Sequence, residues 1–207
     1  MDAVVLLYAE ALKKNNHVLS KHFVIWAVPI LQQSGNEWSI EFLARCAEYG
    51  NTEDMVDLIN EKIDLDNQDV RGWTALHIAA YYGNLNMVTA LVEKKRVLMS
   101  AVATWLGISS WTALDVAIWR WNPNIVANLL DYGASSSSHD TLHLAITHYG
   151  SNDALEKVEY LLVHGWNITT QDNEGKTLLD VACNKGDTAL VYFLENYQTM
   201  GEASNSS

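Results

Sequence analysis

Small and apolar residues recur along this chain behind a threonine. The runs are Thr74-Ala75-Leu76-His77-Ile78-Ala79-Ala80, Thr112-Ala113-Leu114-Asp115-Val116-Ala117-Ile118, Thr141-Leu142-His143-Leu144-Ala145-Ile146 and Thr177-Leu178-Leu179-Asp180-Val181-Ala182-Cys183, with a weaker copy from Phe42 to Gly50. Each run is followed by an apolar anchor: Met55, Val88, Val126, Val158 and Val191, at gaps of 33, 38, 32 and 33 residues. Two more apolar residues at +3 and +4 complete one helical face behind four anchors: Leu58 and Ile59, Leu91 and Val92, Leu129 and Leu130, Leu161 and Leu162. The pattern predicts five helix pairs over residues 37–198. The fifth anchor is followed by Leu194 and Glu195, and a charge there suits a terminal unit whose outer face meets water.

A short helix pair cannot bury its own apolar face, so neighbouring pairs must stack and share a core. Small residues belong where the helices touch, which accounts for Ala79, Ala117, Ala145, Ala182 and Cys46 at one repeat position and for Ala80 and Cys183 at the next. Both cysteines therefore read as buried thiols. The leading threonines are placed to cap free N–H groups at the helix starts, with Asp140 able to share that work with Thr141. Asp115 and Asp180 read as polar anchors of their turns rather than as general acids.

These residues resemble the ankyrin repeat, whose period is about 33 residues and whose signature is Thr-Pro-Leu-His-x-Ala. Ala75 replaces the proline, and the connecting segments Ile63 to Gly72 and Trp166 to Gly175 are similar to the family's hairpin, with Gln-Asp and Gly at matched places. The resemblance implies an all-α fold: an ankyrin-repeat solenoid of stacked helix-turn-helix units with short β-hairpin loops and an N-terminal helical cap. It divides the chain into a cap at 1–36, a repeat domain at 37–200 and a disordered tail at 201–207. Three departures are local. An insertion within Lys94 to Gly107 delays the third unit, which has Ser110 where Gly72 stands and Trp121 where Gly83 stands; the fourth unit has a Ser135 to Ser138 approach and extra residues near Ser151.

Residues 1–36 lie outside the repeat and read as two helices, the second disturbed by Pro29. A cap over the first unit is the plainer use of Phe23, Ile25, Trp26 and Ile30; a membrane-surface or partner helix is the other. The most apolar run, Phe23 to Leu31, is half the length of a spanning helix, which needs about twenty residues, and Met1-Asp2 opens without a basic leader. No span or signal peptide is expected.

Composition narrows the function. At 49% hydrophobic and 18% charged the chain reads as an ordered globular domain, and 13 basic against 25 acidic side chains give a net charge of −12. That charge repels a nucleic-acid backbone and favours a basic or mixed-charge protein partner. Two cysteines make no disulfide framework, so the chain reads as reduced and cytoplasmic, or as delivered into a host cell if it is one of the family's bacterial or viral members.

No phosphate loop, paired-cysteine metal motif or nucleophile elbow is present in the sequence. His139, His143 and His148 are spaced like ligands, but His143 shares a repeat position with His77, which the family uses structurally; neither metal nor cofactor is expected, and no enzyme. Eight tryptophans and nine tyrosines stand out instead. The family binds proteins on its concave face, and carrying those positions over gives Trp38, Tyr49, Arg71, Trp73, Tyr81, Tyr82, Trp111, Trp119, Arg120 and Trp121, residue types enriched at binding hot spots. The resemblance thus implies an adaptor, inhibitor or sequestering protein. The alternatives are an effector acting on a host factor, and an enzyme-associated subunit with a site at the N-terminal helices.

Overall fold

The structure, a computed structural model, describes residue 10 and residues 65–69, 72–93, 99–105, 108–135, 141–147, 153–172 and 174–204. The expected cap at 1–36, apart from Glu10, and the first repeat, including Cys46, lie outside them. The chain forms two compact units, Met1–Ser137 and Ser138–Ser207.

In the first unit two helix pairs follow one another, α1 (Ala75–Tyr82) with α2 (Leu85–Glu93) and α3 (Ala113–Arg120) with α4 (Pro123–Asp131). Between them β1 (Ala103–Trp105) and β2 (Ile108–Trp111) pair antiparallel, with an irregularity beside Ala103. The insertion that delays the third unit is thus spent partly on a longer hairpin. The anchors and their +3 neighbours meet the core as the spacing requires: Val88, Leu91, Val126 and Leu129 are fully buried, as are Ala79, Ala80 and Ala117. Inner helix packs on inner helix and outer on outer, α1 on α3 and α2 on α4.

The second unit repeats the plan with α5 (Thr141–Thr147), α6 (Ala154–Val163), α7 (Leu178–Lys185) and α8 (Thr188–Ser204). Here the last repeat opens toward water. Leu179 and Val191 are only half-buried and Asp180, Cys183 and Glu195 are exposed, whereas their counterparts Leu76, Val88, His77, Ala80 and Val92 are buried. Cys183 therefore departs from the buried thiol expected of it: it is exposed, on a helix whose buried residues are Leu178 and Ala182. The chain end departs as well: α8 carries on through Ser204, so four residues of the expected disordered tail are helical.

The same local devices start and stop the inner helices. Thr112 Oγ1 accepts from Asp115 N–H at 3.3 Å while Asp115 Oδ2 accepts from Thr112 N–H at 2.9 Å, and Thr177 with Asp180 repeats the arrangement at 3.2 and 2.9 Å. These reciprocal bonds satisfy helix-start donors that have no partner within the helix. In α1 the partner is His77, whose Nδ1 accepts from Thr74 N–H at 3.2 Å. At the other end, Gly83, Trp121 and Gly186 are left-handed, and the next N–H reaches back to the helix carbonyls of Ala79, Ala117 and Ala182 at 3.0 to 3.2 Å.

Gly83 has a further constraint, because a Cβ there would come within 3.0 Å of Asn122 Oδ1. Asn122 in turn donates from Nδ2 to Ala80 O at 3.0 Å. Gly83→Ala should therefore lose about 1–2 kcal/mol, from left-handed strain and from the displaced amide, read as a lower urea midpoint with an unchanged slope.

The two hairpin segments that resemble each other in sequence also match in geometry. Asp69 Oδ1 accepts from Trp73 N–H at 2.8 Å, and Asp172 Oδ1 accepts from Lys176 N–H at 2.9 Å. Gly72 and Gly175 each donate to the aspartate carbonyl three residues earlier and sit at φ 79° and 76°.

Candidate functional site

In the first unit repeat symmetry sets an aromatic ring at two places per repeat. Trp73 and Trp111 precede the capping threonines, and Tyr81 and Trp119 come near the ends of α1 and α3. The four rings form a continuous series. Trp73 meets Tyr81 edge-on with centroids 5.5 Å apart, Tyr81 stacks on Trp119 at 6.3 Å and 20°, and Trp119 meets Trp111 edge-on at 6.0 Å. Tyr82 joins edge-on to Tyr81 at 5.2 Å.

Burial divides this series. Trp73 and Trp111 are each 3% exposed, so these two of the residues expected to bind a partner belong to the core instead. Trp73 packs on His77 and Tyr81 and Trp111 on Trp119, and burial suits an indole's large apolar area. Tyr81, Trp119 and Trp121 are half-buried, Arg120 is exposed and Tyr82 is 49% exposed. Trp38, Tyr49 and Arg71 lie outside the described residues.

Arg120 is held over the cluster. Its guanidinium carbon lies 4.7 Å from the Tyr81 ring centroid and 6.0 Å from that of Trp119, and its Nε donates to Tyr81 O at 3.2 Å. With Asn122 on Ala80 O, two side chains of α3's end thus satisfy the last carbonyls of α1. A cation at a helix C-terminus also meets the negative end of the helix dipole. In the second unit Lys185, which shares Arg120's repeat position, donates from Nζ to Ile146 O at the end of α5.

His77 joins its repeat to the next. Because Nδ1 accepts from Thr74 N–H, the ring proton sits on Nε2, which donates to Trp111 O at 3.0 Å. His143 likewise has Nε2 3.1 Å from Lys176 O, the residue before the next capping threonine, which gives it the structural role expected. His139 and His148 lie outside the described residues. Burial lowers the His77 pKa below its ordinary 6.5, against the opposing pull of the Trp111 carbonyl and of Asp115 and Asp69.

That shift sets a pH dependence with a definite sign. Between the depressed folded value and 6.5 the unfolded chain binds more protons, so the contribution is whole above pH 6.5 and is lost as pH falls through the folded pKa. One such proton steepens stability by at most about 1.4 kcal/mol per pH unit. His77→Asn should lose that part of the slope, checked by comparing the urea midpoints of both proteins from pH 7.5 down to 5; parallel curves would deny His77 this role.

Lys157 escaped the sequence reading. It is only 1% exposed, at the repeat position that Met87, Ile125 and Leu190 fill, and a lysine at that apolar place was the signal available. Burial lowers its pKa, Asp153 and Glu156 work against that, and Lys185 adds to it. Among the described residues no three His, Cys, Asp or Glu side chains are grouped to hold a metal ion, and no helix is long and apolar enough to cross a membrane.

Helix pairs that begin on one capping turn and end on one left-handed turn define a helical-repeat protein. Residues 43–140 match the family model for ankyrin repeats in three copies, and the chain carries ankyrin repeats in an all-α fold. Repeats of this family are in general protein–protein interaction modules, on a fold that is not catalytic. The chain is also similar to calmodulin-binding transcription activator 5 of Arabidopsis thaliana, 49% identical over 48 residues. That stretch is 23% of this chain and 5% of that protein, so the chain spans about a twentieth of its relative's length.

Proposed function

We propose that this protein works by binding, as an adaptor, inhibitor or sequestering protein without catalysis of its own, and that the ring cluster at the ends of α1 and α3 receives the partner. The observation that carries the reading is the exposure of Tyr82 at 49%, beside half-buried Tyr81, Trp119 and Trp121 and the exposed Arg120. Rings that pack on one another, and a guanidinium held by a backbone carbonyl, supply buried area on binding at little loss of side-chain entropy. A net charge of −12 favours a basic or mixed-charge protein over an acidic one. The cytoplasm, of its own cell or of a host cell into which it is delivered, is the compartment this reading expects.

Affinity capture from a cell extract tests the reading, with the intact chain and a Tyr82→Ala, Trp119→Ala variant as parallel baits read by mass spectrometry. A protein kept by the first and lost from the second supports the surface. The same proteins on both baits would move the binding site elsewhere.

A further inference from the structure

Three inner helices end in one left-handed turn, and in two of them the turn residue is glycine, Gly83 at φ 75° and Gly186 at φ 72°. In the third it is Trp121 at φ 54°, the one non-glycine residue with positive φ among the described residues. At such a backbone a side chain crowds its own carbonyl, and a bulky residue there is a marked outlier. The turn itself makes no demand for an indole. Trp121 N–H donates to Ile118 O at 3.1 Å and Asn122 N–H to Ala117 O at 3.0 Å, while Gly83 with Asn84 and Gly186 with Asp187 make the same pair of bonds. The residue is half-buried at the surface and follows Arg120 directly.

Strain at a surface position is retained where the group it displays is used. We propose that Trp121 is a specificity-determining residue of the ring cluster, strained so as to hold its indole against an extended basic segment of the partner. The inference rests on reading that cluster as the binding surface. The charge of the occupant follows from the protein's own charges: residues 1–137 carry 15 acidic against 10 basic side chains, and the whole chain has a net charge of −12. Arg120, the cation next to Trp121 in sequence, is already engaged by the Tyr81 ring and carbonyl. A tryptophan face is also the best of the aromatic surfaces for a partner's ammonium or guanidinium group.

The test selects short random peptides displayed on phage against the intact protein. Enriched sequences, made as synthetic peptides, are then titrated against Trp121→Gly, Trp121→Asn and the Tyr82→Ala, Trp119→Ala variant. Lys- and Arg-rich peptides are expected, with affinity reduced about tenfold or more by either Trp121 substitution. Thermal melting supplies the opposite sign, since relief of strain should raise Tm by about 2–4 °C in Trp121→Gly, with Trp121→Asn between it and the natural chain. A lower Tm in both variants would make Trp121 a packing residue and overturn the inference. So would unchanged affinity for peptides that the Tyr82→Ala, Trp119→Ala variant no longer binds, and so would enrichment of acidic sequences. Peptides indifferent to every variant, or no enrichment at all, would remove the binding surface itself.

Discussion

Trp73→Ala is expected to cost about 3–5 kcal/mol of folding stability, the range for truncating a large buried ring. The indole is 3% exposed and meets the rings of His77 and Tyr81 at 6.1 and 5.5 Å. Its removal leaves a cavity beside the His77 bonds to Thr74 N–H and Trp111 O, the link between successive repeats. Trp111→Ala should behave in the same way, since Trp111 is equally buried and supplies that carbonyl. Urea unfolding followed by circular dichroism measures the loss. A change under 1 kcal/mol in both variants would put these rings back on the surface.

The Tyr82→Ala, Trp119→Ala variant should do the reverse. Its fold is kept, with a stability loss on the order of 1 kcal/mol from the broken ring contacts at 5.2, 6.0 and 6.3 Å. Affinity for a captured partner should fall by 2 kcal/mol or more, roughly thirtyfold, as at other aromatic hot spots. Isothermal titration with both proteins reads the difference, and melting curves show that it is not unfolding. The contrast matters because Trp73 and Trp119 are neighbours of Tyr81 in one ring series, yet one serves the core and the other faces outward. Equal affinity would separate the exposed rings from recognition.

Much of this architecture is legible in the chain. Period, apolar faces and capping threonines follow from helical geometry and from the backbone's need for partners at helix starts, both of which act over a few residues. Asp115 and Asp180 are turn anchors for that reason, with Oδ2 on the threonine N–H at 2.9 Å in each. The matched aspartates of the two hairpin segments, Asp69 and Asp172, are equally local. Trp121 in a glycine place was also visible by alignment of the repeats, though not that its backbone keeps the left-handed turn.

Side-chain exposure was not legible to the same degree. Trp73, Tyr81, Trp111 and Trp119 all read as candidates for a binding face, because a sequence states residue type and spacing but not which layer lies over a ring. Cys183 shows the complement: its small-residue position is buried in the second repeat, at Ala80, and exposed in the fifth. Lys157, charged yet 1% exposed, keeps a place that helical periodicity assigns to an apolar residue. The amino-acid sequence by itself determined the repeat, the inner and outer helices and the turns that bound them, since those depend on interactions within one helix or hairpin. Only the tertiary structure decided which aromatic rings are core and which are surface, and which carbonyls Arg120, Asn122 and Lys185 satisfy, because those outcomes depend on residues more than thirty positions apart meeting across the stack.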